Sequence, residues 1–141
     1  MEDLHIVFDP YAKDGPRQFV VESLDAYNLA ATGCAAYYPV GFYLKSPRGE
    51  VLGGLLGQIW GGMLHVSYLW IAEPARRGGH GTRLVREAEA YAIERGCRWA
   101  SLETMSFQAR PFYEKLGYAV FATIEDFPPG HAKYFLKKRL G

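Results

Sequence analysis

The sequence is most easily placed by what it lacks. No apolar run approaches the ~18 residues that a membrane span needs, and the opening MEDLHIVFDP carries acidic rather than basic residues, unlike a secretory leader. Charge of one sign is missing as well. Sixteen Lys+Arg against fifteen Asp+Glu leave a net +1, so no global field would draw in nucleic acid or an anionic membrane. Cysteine is scarce. Cys34 and Cys97 lie far apart and fit no metal or redox spacing, which predicts two buried thiols in a reducing compartment and a cytoplasmic protein. The four histidines, at 5, 65, 80 and 131, show no metal-ligand spacing, so no metal is expected. A Gly-x-Ser-x-Gly elbow is absent, as is a Gly-Lys-Ser/Thr after any glycine turn, which argues against serine hydrolase and Walker-type nucleotide chemistry.

What is present is an ordinary globular composition, 49% hydrophobic and 22% charged over 141 residues, enough for one core and one domain spanning 1–141. LHIVF (4–8) predicts a short strand, and apolar residues at helical spacing predict a helix over about 16–31. Strands follow at 40–46, 51–60 and 63–73, joined by short glycine turns. A helix to about Arg95 then carries the stripe Leu84, Val85, Ala88, Tyr91 and Ala92, with Arg83 and Glu87 spaced to pair. Strands at 98–104, 118–126 and 132–138 complete the pattern, with a short helix near 108–116. The strand–helix–strand order implies one parallel crossover. The predicted fold class is α+β: a mixed, largely antiparallel sheet of about seven strands with flanking helices.

The segment that carries chemistry is 76-RRGGHG-81, between a strand and a helix. Glycines at 78, 79 and 81 allow a sharp turn and leave backbone N–H groups uncovered at a helix N-terminus, an arrangement suited to a phosphate or pyrophosphate. Residues 1–75 hold four basic and eight acidic residues, whereas 76–141 hold twelve and seven, so a polyanion is better placed on the C-terminal half. The glycines come after several elements rather than opening the first crossover, which argues against a Rossmann dinucleotide site.

Arg76, Gly79 and Gly81 fill the pattern [Q/R]-x-x-G-x-[G/A], and Ile71 to Arg76 fills Val-x-x-x-x-Arg. About thirty residues on, Ala109, Phe112-Tyr113 and Lys115-Leu116-Gly117-Tyr118 repeat a second run. With these motifs in order, the chain resembles the GNAT superfamily of acyl-CoA N-acyltransferases, most clearly over 50–141. The resemblance implies an acetyl-CoA-dependent N-acetyltransferase acting by direct attack in a ternary complex, on a small-molecule amine. Two alternatives remain open at this point: a protein or peptide N-acetyltransferase, and a non-catalytic acyl-CoA-binding module.

The resemblance also implies roles. Backbone groups of Leu69, Trp70 and Ile71 would hold the pantetheine arm, with one N–H polarising the thioester carbonyl. Amides from Arg77 through Gly78, Gly79, His80 and Gly81 to Thr82 would hold the pyrophosphate. His80 stands where an apolar side chain is usual, so its backbone rather than its imidazole is expected to matter. Tyr113 matches the tyrosine that protonates the departing thiolate, a fitting role for a phenol of pKa ~10. A carboxylate is often found eleven residues before the loop arginine; here His65 holds that place and is the candidate general base, with a water chain as the alternative. Glu73 and Glu103 are further carboxylates on or near the same strands. Ser106 replaces an asparagine that commonly contacts the pantetheine seven residues before the tyrosine.

The acceptor walls suggested by the family include Tyr37, Tyr38, Phe42, Tyr43, Trp60, Tyr68 and the 125–135 connection, where Glu125, Asp126 and His131 could meet a cationic amine. Family members are often homodimers, and the sequence assigns no surface to such a pairing.

Overall fold

A computed structural model describes residues 2–141 and resolves two units, one ending at Ala35 and one spanning Ala36–Gly141. The first holds α1 (Asp14–Thr32), which carries the predicted stripe with Phe19, Val20, Leu24 and Tyr27 exposed. Gly33 ends it at φ 70°, its N–H donating to the Leu29 carbonyl at 2.8 Å. Glycine takes this left-handed cap without a Cβ clash. The strand expected over 4–8 does not form. Ile6 is fully exposed, and no strand among the described residues pairs with the segment. An apolar run of that length has no stability as a strand without a ladder partner.

The second unit contains β1 (Tyr37–Lys45), β2 (Val51–Trp60), β3 (Met63–Ile71), a short 3-10 turn (Glu73–Ala75), α2 (His80–Glu94), β4 (Trp99–Met105), α3 (Arg110–Lys115), β5 (Ala119–Glu125) and β6 (Ala132–Arg139). Among the described residues the sheet has six strands, not seven, in the order β1-β2-β3-β4-β6-β5. β1 to β3 form an antiparallel meander. β3 and β4 are parallel, joined through α2 as the sequence predicts. The last strand inserts between β4 and β5, antiparallel to both.

The core lies between the sheet and α2, which turns Leu84, Val85, Ala88 and Ala92 onto Leu55, Leu64, Ala100 and Leu136. Glu89 shares that buried face. Its carboxylate accepts the Tyr118 hydroxyl at 2.8 Å and two bonds from Lys138 Nζ, each at 3.0 Å, so the buried charge is fully partnered. Cys97 is buried as expected, and burial pushes its thiol pKa up. Cys34 is exposed, contrary to expectation. It follows the α1 cap, where its N–H donates to Thr32 Oγ1 at 3.1 Å and the chain has already left the helix.

Two irregularities in β3 shape the far end of the sheet. Leu56 pairs with Tyr68 but Gly57 pairs with Val66, so Ser67 is an extra residue, a bulge. The ladder between β3 and β4 runs from Met63/Trp99 only as far as Val66/Leu102. Beyond the bulge the two parallel strands part. Gly57 makes this local geometry accessible, because a Cβ there would collide with the His65 carbonyl oxygen.

Candidate functional site

The parting of β3 and β4 opens a cleft of about 650 Å³ beside the start of α2. One wall is the far end of β3, at Leu69, Trp70 and Ile71, and the floor is the glycine turn at Arg76, Arg77, Gly79, His80, Gly81 and Thr82. The opposite wall comes from the β4–α3 connection, at Phe107, Gln108 and Ala109, and from α3, at Phe112 and Tyr113. Eleven residues proposed from the sequence as cofactor-binding or catalytic therefore line, or lie within, this single space, Gly78 being inside the turn.

Each wall has a physical reason to be open. Leu69, Trp70 and Ile71 pair with β2 on one side, at Leu55, Gly54 and Gly53, while β4 has departed on the other. That edge presents backbone donors and acceptors to the cleft, as an exposed strand edge does. Gly79 caps α2 at φ 77°, a conformation that glycine adopts without strain. No side chain caps the helix, and its first intrahelical bond runs from Arg83 N–H to the Gly79 carbonyl, so the amides of His80, Gly81 and Thr82 precede the ladder. Those donors, with the helix dipole behind them, make an anion cradle. Gly81 keeps it compact, since a Cβ there would stand 3.2 Å from Phe112 Cζ. Arg76 braces the turn. Its Nε donates to the Ile71 carbonyl at 2.9 Å, tying the loop to the end of β3.

Tyr113 is buried at 7% exposure and burial pushes its phenol above the ordinary pKa range, so it holds its proton throughout the neutral range. Its ring meets Phe112 edge-on at 5.1 Å and Tyr118 at 6.1 Å. Through Tyr118 the aromatic pair rests on the Glu89–Lys138 ion pair.

Comparison with known proteins agrees with this geometry. The profile described as "Acetyltransferase (GNAT) family" matches residues 3–118. The chain belongs to the GNAT acetyltransferase family. A blasticidin-S acetyltransferase of Streptomyces morookaense is 44% identical over 99 residues, which is 70% of this chain and 73% of that protein. An acetyltransferase of Agrobacterium fabrum is 29% identical over 96% of this chain and 99% of its own. The crystal structure of an acetyltransferase from Bacillus cereus ATCC 14579 superposes with a TM-score of 0.84 at 34% identity, covering 91% of this chain and 96% of that one. The protein is an acyltransferase enzyme, and its mixed six-stranded sheet is the GNAT fold.

Within this GNAT chain the remaining candidates fall in different places. His65 lies on β3 before the bulge, where its Nδ1 is 2.8 Å from Ser101 Oγ on the paired part of β4; it is not among the cleft-lining residues. Ser106 is likewise outside the cleft lining. Its Oγ accepts the Ala132 N–H at 3.0 Å and its own N–H donates to the Ala132 carbonyl at 2.8 Å, pinning the loop to β6. Glu73 opens the 3-10 turn, outside the cleft lining.

Two polar side chains do reach the opening. Gln108 lines both the main cleft and the narrower gap between β3 and β4. The Met105 N–H donates to its Oε1 at 2.7 Å, which fixes the amide's orientation and leaves the Nε2 donors on the other side. Glu103 lines the gap together with Tyr68, Leu69, Trp70 and Tyr113, and its Oε2 is 3.1 Å from Lys133 Nζ. Gln108 was missed by sequence reasoning because its role depends on a reverse bond to Met105, which no spacing reveals. For Glu103 the signal existed, a carboxylate on the strand after the crossover, but only the parting of β3 from β4 brings it to the opening.

Among the described residues no helix is long and apolar enough to cross a membrane, and no group of three or more His, Cys, Asp or Glu residues could hold a metal.

Proposed function

We propose that the enzyme transfers an acetyl group from acetyl-CoA to the primary amine of a small molecule, by direct attack within a ternary complex. The observation that carries this reading is the convergence of an uncapped helix N-terminus, an open strand edge and a buried protonated tyrosine on one cleft. The residues suit acetyl-CoA. The amides of Arg77 to Thr82 would hold its pyrophosphate, while the β3 edge at Leu69 to Ile71 and the amide of Gln108 would hold its pantetheine. Bound there, acetyl-CoA supplies the activated acetyl group.

The chain's own groups do the rest. A β3 backbone N–H polarises the thioester carbonyl. Glu103 anchors the acceptor's ammonium at the β3–β4 gap and takes its proton, freeing the nitrogen lone pair to attack. Tyr113 gives its proton to the thiolate as the carbon–sulfur bond breaks, and the second proton, shed by the nitrogen as the amide forms, restores the phenol. The family match crosses both structural units, which supports one acetyltransferase domain over 1–141. A small-molecule acceptor is favoured because the Streptomyces relative, over the shared 99 residues, is named for the antibiotic blasticidin S.

Thermal melting with acetyl-CoA, CoA and ATP tests the first step. At ~100 times its dissociation constant a ligand adds about 2.7 kcal/mol of stability. A shift with acetyl-CoA and CoA but not ATP is expected, followed by acetyl-CoA-dependent thiol release with blasticidin S as the first acceptor. Absence of any shift with acetyl-CoA and CoA would overturn the proposal, and thiol release with peptides alone would reassign the acceptor.

A further inference from the structure

Glu103 comes to the β3–β4 gap with a cation already attached. Along β4 the buried positions are 100, 102 and 104, so Glu103 stands on the face of the sheet turned away from α2. It lines the gap but not the cofactor cleft, which puts it on the acceptor's side. In the β4–β6 ladder Glu103 lies opposite Phe135, and Lys133, two residues earlier on the same face, reaches across to it. Lys133 Nζ is 3.1 Å from Glu103 Oε2 and stands over the rings of Phe135 and Phe127, 5.3 and 5.5 Å from their centroids.

Those two rings matter. An exposed lysine is free to swing into water, but this one is held beside the carboxylate by ring faces as well as by charge. It is also the better covered partner, its side chain 21% exposed against 40% for Glu103. The pair is therefore reached from the Glu103 side, where Oε1 is left open. As a unit it is neutral. An acceptor bringing only an ammonium would draw Glu103 away from Lys133 and leave that cation without a counter-ion. One bringing an ammonium and an anionic group side by side would turn one ion pair into two, with the ammonium on Glu103 Oε1 and the anion on Lys133 Nζ. A lysine ammonium has three donors, so the bond to Glu103 is kept.

We propose that the acceptor is a zwitterion, an α- or β-amino acid or a molecule carrying that moiety, its amine held by Glu103 and its carboxylate by Lys133. Lys133 determines specificity and touches no reacting atom. This inference rests on the acetyl-CoA reading above and names the acceptor class within it, and the experiment separates the two.

Thiol release from acetyl-CoA tests it with matched acceptors, the common α-amino acids and β-alanine beside their carboxamides. A carboxamide keeps the size of the carboxylate without its charge. Its amine also gives up a proton more easily, so chemistry alone favours the amide. Lys133→Met and Lys133→Gln remove the charge by two routes, so that one misfolded variant leaves the other, and Lys133→Arg retains it. CoA titration and the melting temperature of each protein are the controls for cofactor binding and folding. The wild type should show a kcat/KM about tenfold higher for its best amino acid than for the matching amide, the worth of one charge-assisted bond. That difference should lie in KM, since binding rather than chemistry is at stake. Neutral variants should bring the two acceptors to within about threefold of each other, and arginine should keep the preference. A wild-type enzyme that prefers the amides, or that binds CoA and leaves every amino acid unmodified, would overturn the inference. So would a folded, CoA-binding neutral variant that keeps the full preference, or a preference carried by kcat alone. Failure of the wild-type protein to bind CoA would instead defeat the acetyl-CoA reading itself, and this inference with it.

Discussion

The two ends of the β3–β4 pair are built on opposite terms. At the near end, Met63 to Val66 runs beside Trp99 to Leu102 in a parallel ladder, Leu64 and Ala100 are fully buried, and the adjoining Glu89, Tyr118 and Lys138 satisfy one another. At the far end the same strands part, and their backbone groups and the side chains of Glu103, Gln108 and Tyr113 face a cavity. The closed end holds the fold together. The open end is where polar groups are left available to a ligand.

The largest expected effect breaks the open end alone. Tyr113→Phe should lower turnover about a hundredfold, the lower range for loss of a general acid, while CoA affinity and the urea midpoint stay close to wild type. Unchanged turnover would remove Tyr113 as the proton donor. Next in size is a change at the closed end. Glu89→Gln leaves Lys138 beside a neutral amide and weakens the bond from Tyr118, so unfolding should become easier by about 2 kcal/mol in urea titration, with CoA affinity per folded molecule unaltered.

The smallest effect links the ends through pH. Burial raises the pKa of Tyr113 and, with the Glu89 hydrogen bond adding to it, that of Tyr118. In the unfolded chain both phenols ionise near ~10. Their contribution to stability is therefore whole below pH ~10 and is lost as pH rises from there toward the raised folded values. Equilibrium unfolding should show a decline beginning near pH ~10 that Tyr118→Phe reduces; an equal decline in that variant would remove Tyr118 as its source.

Much of the fold was legible in the sequence wherever one residue's period or conformation decides the outcome. The α2 stripe, the glycine turns and the parallel crossover are products of local pattern, and the Arg76/Gly79/Gly81 loop lies where its motif says. The illegible parts depend on partners far apart in sequence. Ser106 reads as a ligand contact by position, yet its hydroxyl accepts from Ala132 across the sheet. His65 reads as a base by spacing, but a bulge two residues later separates it from the cleft wall. LHIVF reads as a strand by composition, and composition does not supply a neighbour. The Glu89 network joins positions 89, 118 and 138, each ordinary when taken alone.

The bulge at Ser67 also changes the phase of the strand. Before it the most buried positions are 64 and 66; after it they are 69 and 71, while Tyr68 and Trp70 stay exposed. A chain one residue shorter at this point would return β3 to a single phase and turn the far half of the strand over, exchanging the faces of Leu69 and Ile71 with those of Tyr68 and Trp70. Which side chains the far half of β3 turns to each face is thus decided by a single inserted residue.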